Sequence, residues 1–428
     1  MDDAALQKGV VVRDATGRLS FFADSDPPAE EERARISSSI ADALGPYARR
    51  GRTIAFRSDP GVAKILQDPQ RLPMPIEGVV CNLIDRRIVG TGWLEVPTQE
   101  AAGPARIVFA SLKGGVGRST ALAVAAADLA RRNKNVLVVD LDLEAAGVGG
   151  LLLEDARVPR FGAVDLLVES GVGQISEEML SNVVGVSGLT TGGGGRVDVM
   201  PAIGLSSTKS PENVMGKLAR AVVEDISEGG EVTPLGGKIS GMLQRVTARA
   251  AYDVVLIDSR AGLAELAAPT LLGLGATVLL FGTAPMETML SSYGALFAAL
   301  RLLANRDRIQ GRDASWRLNI KAVLGKATLD DAVLARYRDN LYDLFADDLY
   351  DEDQGLDALS NISFDIDDTE APHWPLIVPF NQVFTNFDPV RNPSQLTAAF
   401  YEQTYRPFLD GLDAAVQLSA NAVTPGSP

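Results

Sequence analysis

Residues 111–120, SLKGGVGRST, bring two cations, three glycines and a Ser-Thr pair together. Gly114, Gly115 and Gly117 let successive backbone N–H groups turn toward one point without a Cβ clash. A helix beginning near Gly117 would add unpaired N–H groups and the positive end of its dipole. Such a nest cradles a polyphosphate. Ser119 and Thr120 offer one hydroxyl to a Mg²⁺ ion and one to a phosphate oxygen, while Lys113 and Arg118 supply positive charge. Carboxylates follow apolar runs at two later places: Asp140 and Asp142 after 135–139, and Asp258 within YDVVLIDS, 252–259. Carboxylate oxygens suit Mg²⁺, which prefers hard ligands and keeps part of its water shell.

The elements that must hold these groups are legible around them. An apolar run, 106–110, precedes the glycine loop, and an alanine-rich helical pattern, 121–132, follows it. Further apolar runs at 196–202, 276–284, 318–324 and 376–379 read as strands. Runs apolar on both faces suit a parallel sheet, and ligands bind at the carboxyl ends of such strands. The expected fold is α/β, a mostly parallel, doubly wound sheet with flanking helices. It spans 104–422, with insertions near 206–234 (helical core near 214–226) and 330–370. Residues 1–100 carry short strand patterns at 10–12, 19–22, 53–56 and 78–83 and a helical one at 29–44, a small α/β accessory domain. Residues 97–104 have the composition of a linker, GGGG at 192–195 that of a flexible hairpin connection, and 423–428 that of a disordered tail.

The strict P-loop pattern G-x-x-x-x-G-K-[ST] fails where Leu112 and Arg118 stand. The loop resembles instead the deviant Walker A loop of MinD/ParA ATPases, KGGVGK[ST]T, in a variant with Arg118 for the P-loop lysine. The resemblance implies ATP and Mg²⁺ as cofactors. ATP would be cradled by Gly114, Gly115, Val116, Gly117, Arg118, Ser119 and Thr120. Lys113 would reach across an ATP-dependent homodimer to the partner's phosphates. Asp142 would position the attacking water, and Mg²⁺ would be held by Ser119, Asp258 and Asp142. Gly325, Lys326, Pro379 and Phe380 match the positions that contact the base, although the first of these loops lacks the family's usual asparagine. Arg260 replaces a usual threonine; a phosphate contact, a dimer contact and a plain surface charge all stay open for it.

The implied function is a slow, Mg²⁺-dependent ATPase, a dimerising switch that signals to a protein partner, of the kind found in bacterial multi-gene, defence-like systems. Two other classes stand beside it. Arg118 motivates a nucleotide-binding scaffold with little hydrolysis, because a planar guanidinium is not interchangeable with an ammonium at a fitted phosphate site. A P-loop protein-tyrosine kinase would end in a tyrosine cluster, whereas Tyr401 and Tyr405 fall inside a helical pattern.

Composition narrows the outputs. The net charge is −15, and 330–370 alone holds 14 acidic residues against two arginines. That insertion is either a solvated surface or a dock for a basic partner. The acid balance does not favour DNA binding, which rests on phosphate electrostatics. Arg49, Arg50 and Arg52 read as a solvated turn. The tail at 396–422 has Arg406 as its one basic residue, so it reads as a packing helix and not as a basic membrane-surface helix. No apolar run reaches the ~20 residues of a membrane span. With one cysteine, Cys81, and one histidine, His373, neither an internal disulfide nor a zinc site is expected. Together with the lack of a signal-peptide pattern, this points to the cytoplasm.

Overall fold

The computed structural model describes residues 3–49, 51–99, 102–173, 175–189, 194–227, 229–284, 287–351 and 362–422. Arg50, part of the GGGG run, 352–361 of the acidic insertion and the 423–428 tail lie outside the described residues. The chain divides into two compact units, Met1–Val96 with Ala298–Ala314, and Pro97–Phe297 with Ser315–Pro428.

The first unit holds a mixed five-stranded sheet in the order β3-β2-β1-β5-β4. Its strands are β1 (Val10–Arg13), β2 (Leu19–Ala23), β3 (Ile54–Phe56), β4 (Leu72–Ile76) and β5 (Val79–Asp85). Side chains alternate across a strand, so neighbouring Phe21 and Phe22 serve opposite faces. Phe22 joins Val10, Ala55 and Ile84, while Phe21 joins Ile54 and Phe56 under Ile36 and Ile40 of the helix Glu30–Leu44. Strand β4 was not anticipated, because Pro73 and Pro75 read against a strand. It lies at the sheet edge, where a missing N–H leaves no ladder bond unmade. Residues Ala298–Ala314 contribute Arg306, wholly buried, whose guanidinium donates to the carbonyls of Leu94 (2.5 Å) and Glu95 (2.8 Å).

The second unit is built on an eight-stranded sheet, β15-β14-β13-β6-β12-β7-β9-β8. In chain order these are β6 (Ala105–Ser111), β7 (Asn135–Leu141), β8 (Gly185–Val186), β9 (Arg196–Met200), β12 (Val254–Ala261), β13 (Thr277–Gly282), β14 (Ile320–Ala327) and β15 (Leu376–Pro379). Every pairing is parallel except that of β8 on β9. The insertion near 206–234 forms the helix Val214–Ala221 and a two-stranded hairpin, β10 (Asp225–Ile226) with β11 (Val232–Thr233). The helix is shorter than expected because the end of the apolar pattern pairs as β10.

Central strands are buried on both faces: Ile107, Val108 and Phe109 of β6 are all fully buried. The alanine-rich helix Arg118–Arg131 packs on β6, β7, β9 and β12, where small side chains permit close approach. Across it lies the C-terminal helix Ala398–Ala422, which buries Tyr401, Tyr405, Phe408 and Leu412. Phe408 closes a ring trio with Phe109 and Phe281 at 5.9–6.2 Å between centroids. Tyr401 donates to Asp128 Oδ1 at 3.1 Å. Both tyrosines are therefore core residues.

The helix Asp331–Asp348 of the acidic insertion ends against His373, which is wholly buried. His373 Nε2 sits 3.2 Å from the Ile366 carbonyl, and Tyr350 Oη lies 2.7 Å from Nδ1. A carbonyl only accepts, so Nε2 carries the proton and Nδ1 accepts from the tyrosine. Burial holds this imidazole below its usual range, as suits a structural histidine. No helix among the described residues is long and apolar enough to cross a membrane.

Candidate functional site

The carboxyl ends of β6, β7, β12, β14 and β15 open on one cleft of about 690 Å³. Ser111 at the end of β6, Asp142 after β7, Arg260 on β12, Lys326 on β14 and Pro379 on β15 all line it. The glycine loop fills its centre. Gly115 (φ +77°) and Gly117 (φ +91°) adopt left-handed backbone that other residues enter only at a cost. Gly117 then caps the helix Arg118–Arg131, so the loop runs directly into free helical N–H groups.

Arg118 organises the floor of the cleft. Its Nε donates to Asp258 Oδ1 at 2.5 Å, its Nη2 to Asp142 Oδ2 at 2.9 Å, and its Nη1 to Ser111 Oγ at 3.3 Å. Ser119 Oγ donates to the other Asp258 oxygen at 2.6 Å. These guanidinium contacts all lie on the floor of the cleft, to Ser111, Asp142 and Asp258. The fork geometry explains why arginine can do this: one planar group reaches two carboxylates and a hydroxyl together.

Asp140 sits in register with Asp258 on the neighbouring strand. It accepts the N–H groups of Asp142 and Gly147 at 3.1 Å, which ties down the loop that presents Asp142. Burial raises the carboxyl pKa of both Asp140 and Asp258. The charge of Asp258 raises Asp140 further, and the Arg118 guanidinium opposes the rise at Asp258.

Asp142 Oδ1 is buried and has no hydrogen-bond partner among the described residues. With Ser119 Oγ and Asp258 it supplies the hard oxygens that a Mg²⁺ ion takes, so these residues fit the metal the resemblance implies. Among the described residues no group of three or more His, Cys, Asp or Glu could hold a metal by itself. Water and phosphate oxygens would have to complete the shell.

The remaining sequence-assigned residues divide by position. Gly114 through Thr120, Lys326, Pro379 and Phe380 line the cleft. The side chain of Val116 turns into the core. Lys113 is exposed, at the start of the loop and outside the lining. Gly325 lies under the loop and not on the cleft wall: a methyl group there would stand 2.2 Å from the Val116 carbonyl oxygen. Arg260 is ion-paired to Glu144 at 2.5 Å, joining the loop after β7 to the end of β12. Sequence reasoning missed the part of Ser111, the loop-tying by Asp140, and the aromatic wall of Phe384, Phe387 and Tyr405. The pairing of Asp140 with Gly147 was open to inspection; the aromatic wall comes from chain far from the loop and leaves no local signal.

The model of the CobQ/CobB/MinD/ParA nucleotide-binding domain matches residues 107–410. No curated protein matches the chain by sequence. Among solved structures it is similar to the ParA family ATPase from Chlorobium tepidum TLS, at 13% identity over 74% of this chain and 99% of that one, with a TM-score of 0.40. It is similar to the MinD cell division protein of Aquifex aeolicus, at 17% identity over 76% and 98%, TM-score 0.39. A putative plasmid partition protein from Borrelia burgdorferi B31 bound to AMPPNP gives 16% identity over 73% and 99%, TM-score 0.39. With the match covering most of the sheet and every loop of the cleft, the chain belongs to the CobQ/CobB/MinD/ParA nucleotide-binding family.

Proposed function

We propose that the protein is a Mg²⁺-dependent ATPase that works as a dimerising switch. One observation carries the reading: the glycine loop, the Ser119–Asp258 pair and Asp142, with its partnerless buried oxygen, converge on a single cleft. Backbone N–H groups from Gly114 to Thr120 hold the polyphosphate. Ser119 and Asp258 present the oxygens for Mg²⁺, which neutralises phosphate charge when bound. Asp142 orients the water for attack. Lys113, exposed at the rim, reaches the phosphates of a second copy. Phosphoryl transfer needs chiefly positioning and charge neutralisation, so a site completed only in the dimer turns over slowly.

The N-terminal domain and the insertions would read out the nucleotide state to a protein partner. A basic partner suits the acidic insertion, in a cytoplasmic, defence-like system; DNA is the less favoured target. Light scattering tests the switch. ATP, but not ADP, is expected to double the mass of the parent, and Lys113→Ala is expected to bind ATP without dimerising. A Lys113→Ala protein that dimerises and hydrolyses normally would remove the cross-dimer role.

A second reading has its own observation. Because Arg118 clasps both Asp142 and Asp258, the same cleft could serve a scaffold that binds nucleotide and does not cut it. Single-turnover hydrolysis separates the two.

A further inference from the structure

Three cationic side chains line the cleft: Arg118, Arg260 and Lys326. Arg118 is held by Asp142 and Asp258, and Arg260 by Glu144. Lys326 makes no hydrogen bond or ion pair with any described residue. Of the cations lining the cleft, the one without a counter-charge among the described residues is therefore the one that sequence alone would place against the base.

The backbone fixes where Lys326 stands. The register of β14 against β15 slips between Leu324 and Ala327, and Phe380 N–H bonds to the Ala327 carbonyl at 2.8 Å. Such a bulge re-aims a side chain and is common beside active sites. Lys326 takes the left-handed conformation (φ +50°), which a non-glycine residue enters only at a cost. Gly325 beneath it abuts the Val116 carbonyl and leaves no room to shift. As a result the Lys326 stem crosses the loop: a methyl group on Gly117 would lie 3.9 Å from both its Cγ and its Cε. Gly117 is the residue that starts the phosphate-facing helix.

We infer that Lys326 is the polyphosphate-holding cation of this site, taking the duty that the Arg118 guanidinium, spent on the two carboxylates, does not perform. The inference rests on the reading that the cleft binds a nucleotide. A positioned ammonium on a phosphate oxygen is a charge-assisted bond, strong enough for at least ~10-fold in affinity. Being compact and on a flexible stem, it can follow the phosphates of ADP and ATP alike.

The test is calorimetric titration of ADP into the full chain, for the parent, Lys326→Met, Lys326→Gly and Lys326→Arg. Methionine keeps an apolar stem over Gly117 and removes only the charge; glycine relieves the left-handed backbone as well. Both are expected to weaken ADP by at least ~10-fold and to flatten the salt dependence of binding, while arginine stays near the parent. The side chain is exposed, so melting temperatures serve as a check that the variants fold. Parent-like affinity in Lys326→Met would overturn the inference and leave the nucleotide reading standing. A fall in affinity for the glycine variant alone, with an unchanged salt dependence, would also overturn it, because the role would then be backbone shape. A parent that binds neither ADP nor ATP would remove the nucleotide reading and the inference with it.

Discussion

On the floor of the cleft Arg118, Asp142 and Asp258 are 8%, 7% and 1% exposed, and the one guanidinium bridges both carboxylates. At its lip, Phe380 is 58% exposed and Lys326 is exposed with no partner among the described residues. The floor is a bridged network: removing its cation strands two buried carboxylates, so the floor resists loss of Arg118. The lip needs no rearrangement to meet an anion. The contrast divides the labour of the site. On the proposed function, affinity would be set first at the lip and the glycine loop, and the state of the floor would decide whether bound nucleotide is cut.

The largest effect is expected on the floor. Arg118→Ala leaves two buried carboxylates without their cation and should lower unfolding stability by about 3 kcal/mol in urea denaturation. Arg118→Lys, a point charge that cannot bridge both partners, should fall between this variant and the parent. A loss near the ~0.5 kcal/mol of an ordinary surface substitution would mean that Arg118 does not hold the floor together.

A smaller effect is expected where the lip meets the loop. Gly325→Ala places a methyl group 2.2 Å from the Val116 carbonyl oxygen, a backbone atom that moves only if the glycine loop moves. It should reduce stability by about 2 kcal/mol and weaken ADP by roughly 10-fold, as read by melting and calorimetry. A variant with both values unchanged would show that the lip does not set the shape of the loop.

Much of the floor was legible in the sequence. Loop, D-x-D and YDVVLIDS lie in the right order, and each sits at or beyond the end of a strand that an apolar run announces. What the sequence withheld was partnership. Nothing local distinguishes an Arg118 that faces phosphate from one that spans to Asp258, 140 residues away. Lys326 was found by resemblance and assigned to the base; its place over Gly117 depends on a bulge between β14 and β15 that only strand pairing reveals. Strand β4 was hidden by its prolines, and the grouping of Ala298–Ala314 with the N-terminal unit by its distance along the chain.

Single-turnover phosphate release by the parent and by Asp142→Ala, with ATP affinity measured on the same samples, tests the central claim most directly. The parent is expected to release phosphate from bound ATP. Asp142→Ala is expected to bind ATP with little change and to release phosphate at least ~100-fold more slowly, the scale of a lost proton-transfer or water-positioning group. Release by Asp142→Ala at the parent's rate, or a parent that holds ATP and releases none, would contradict that claim.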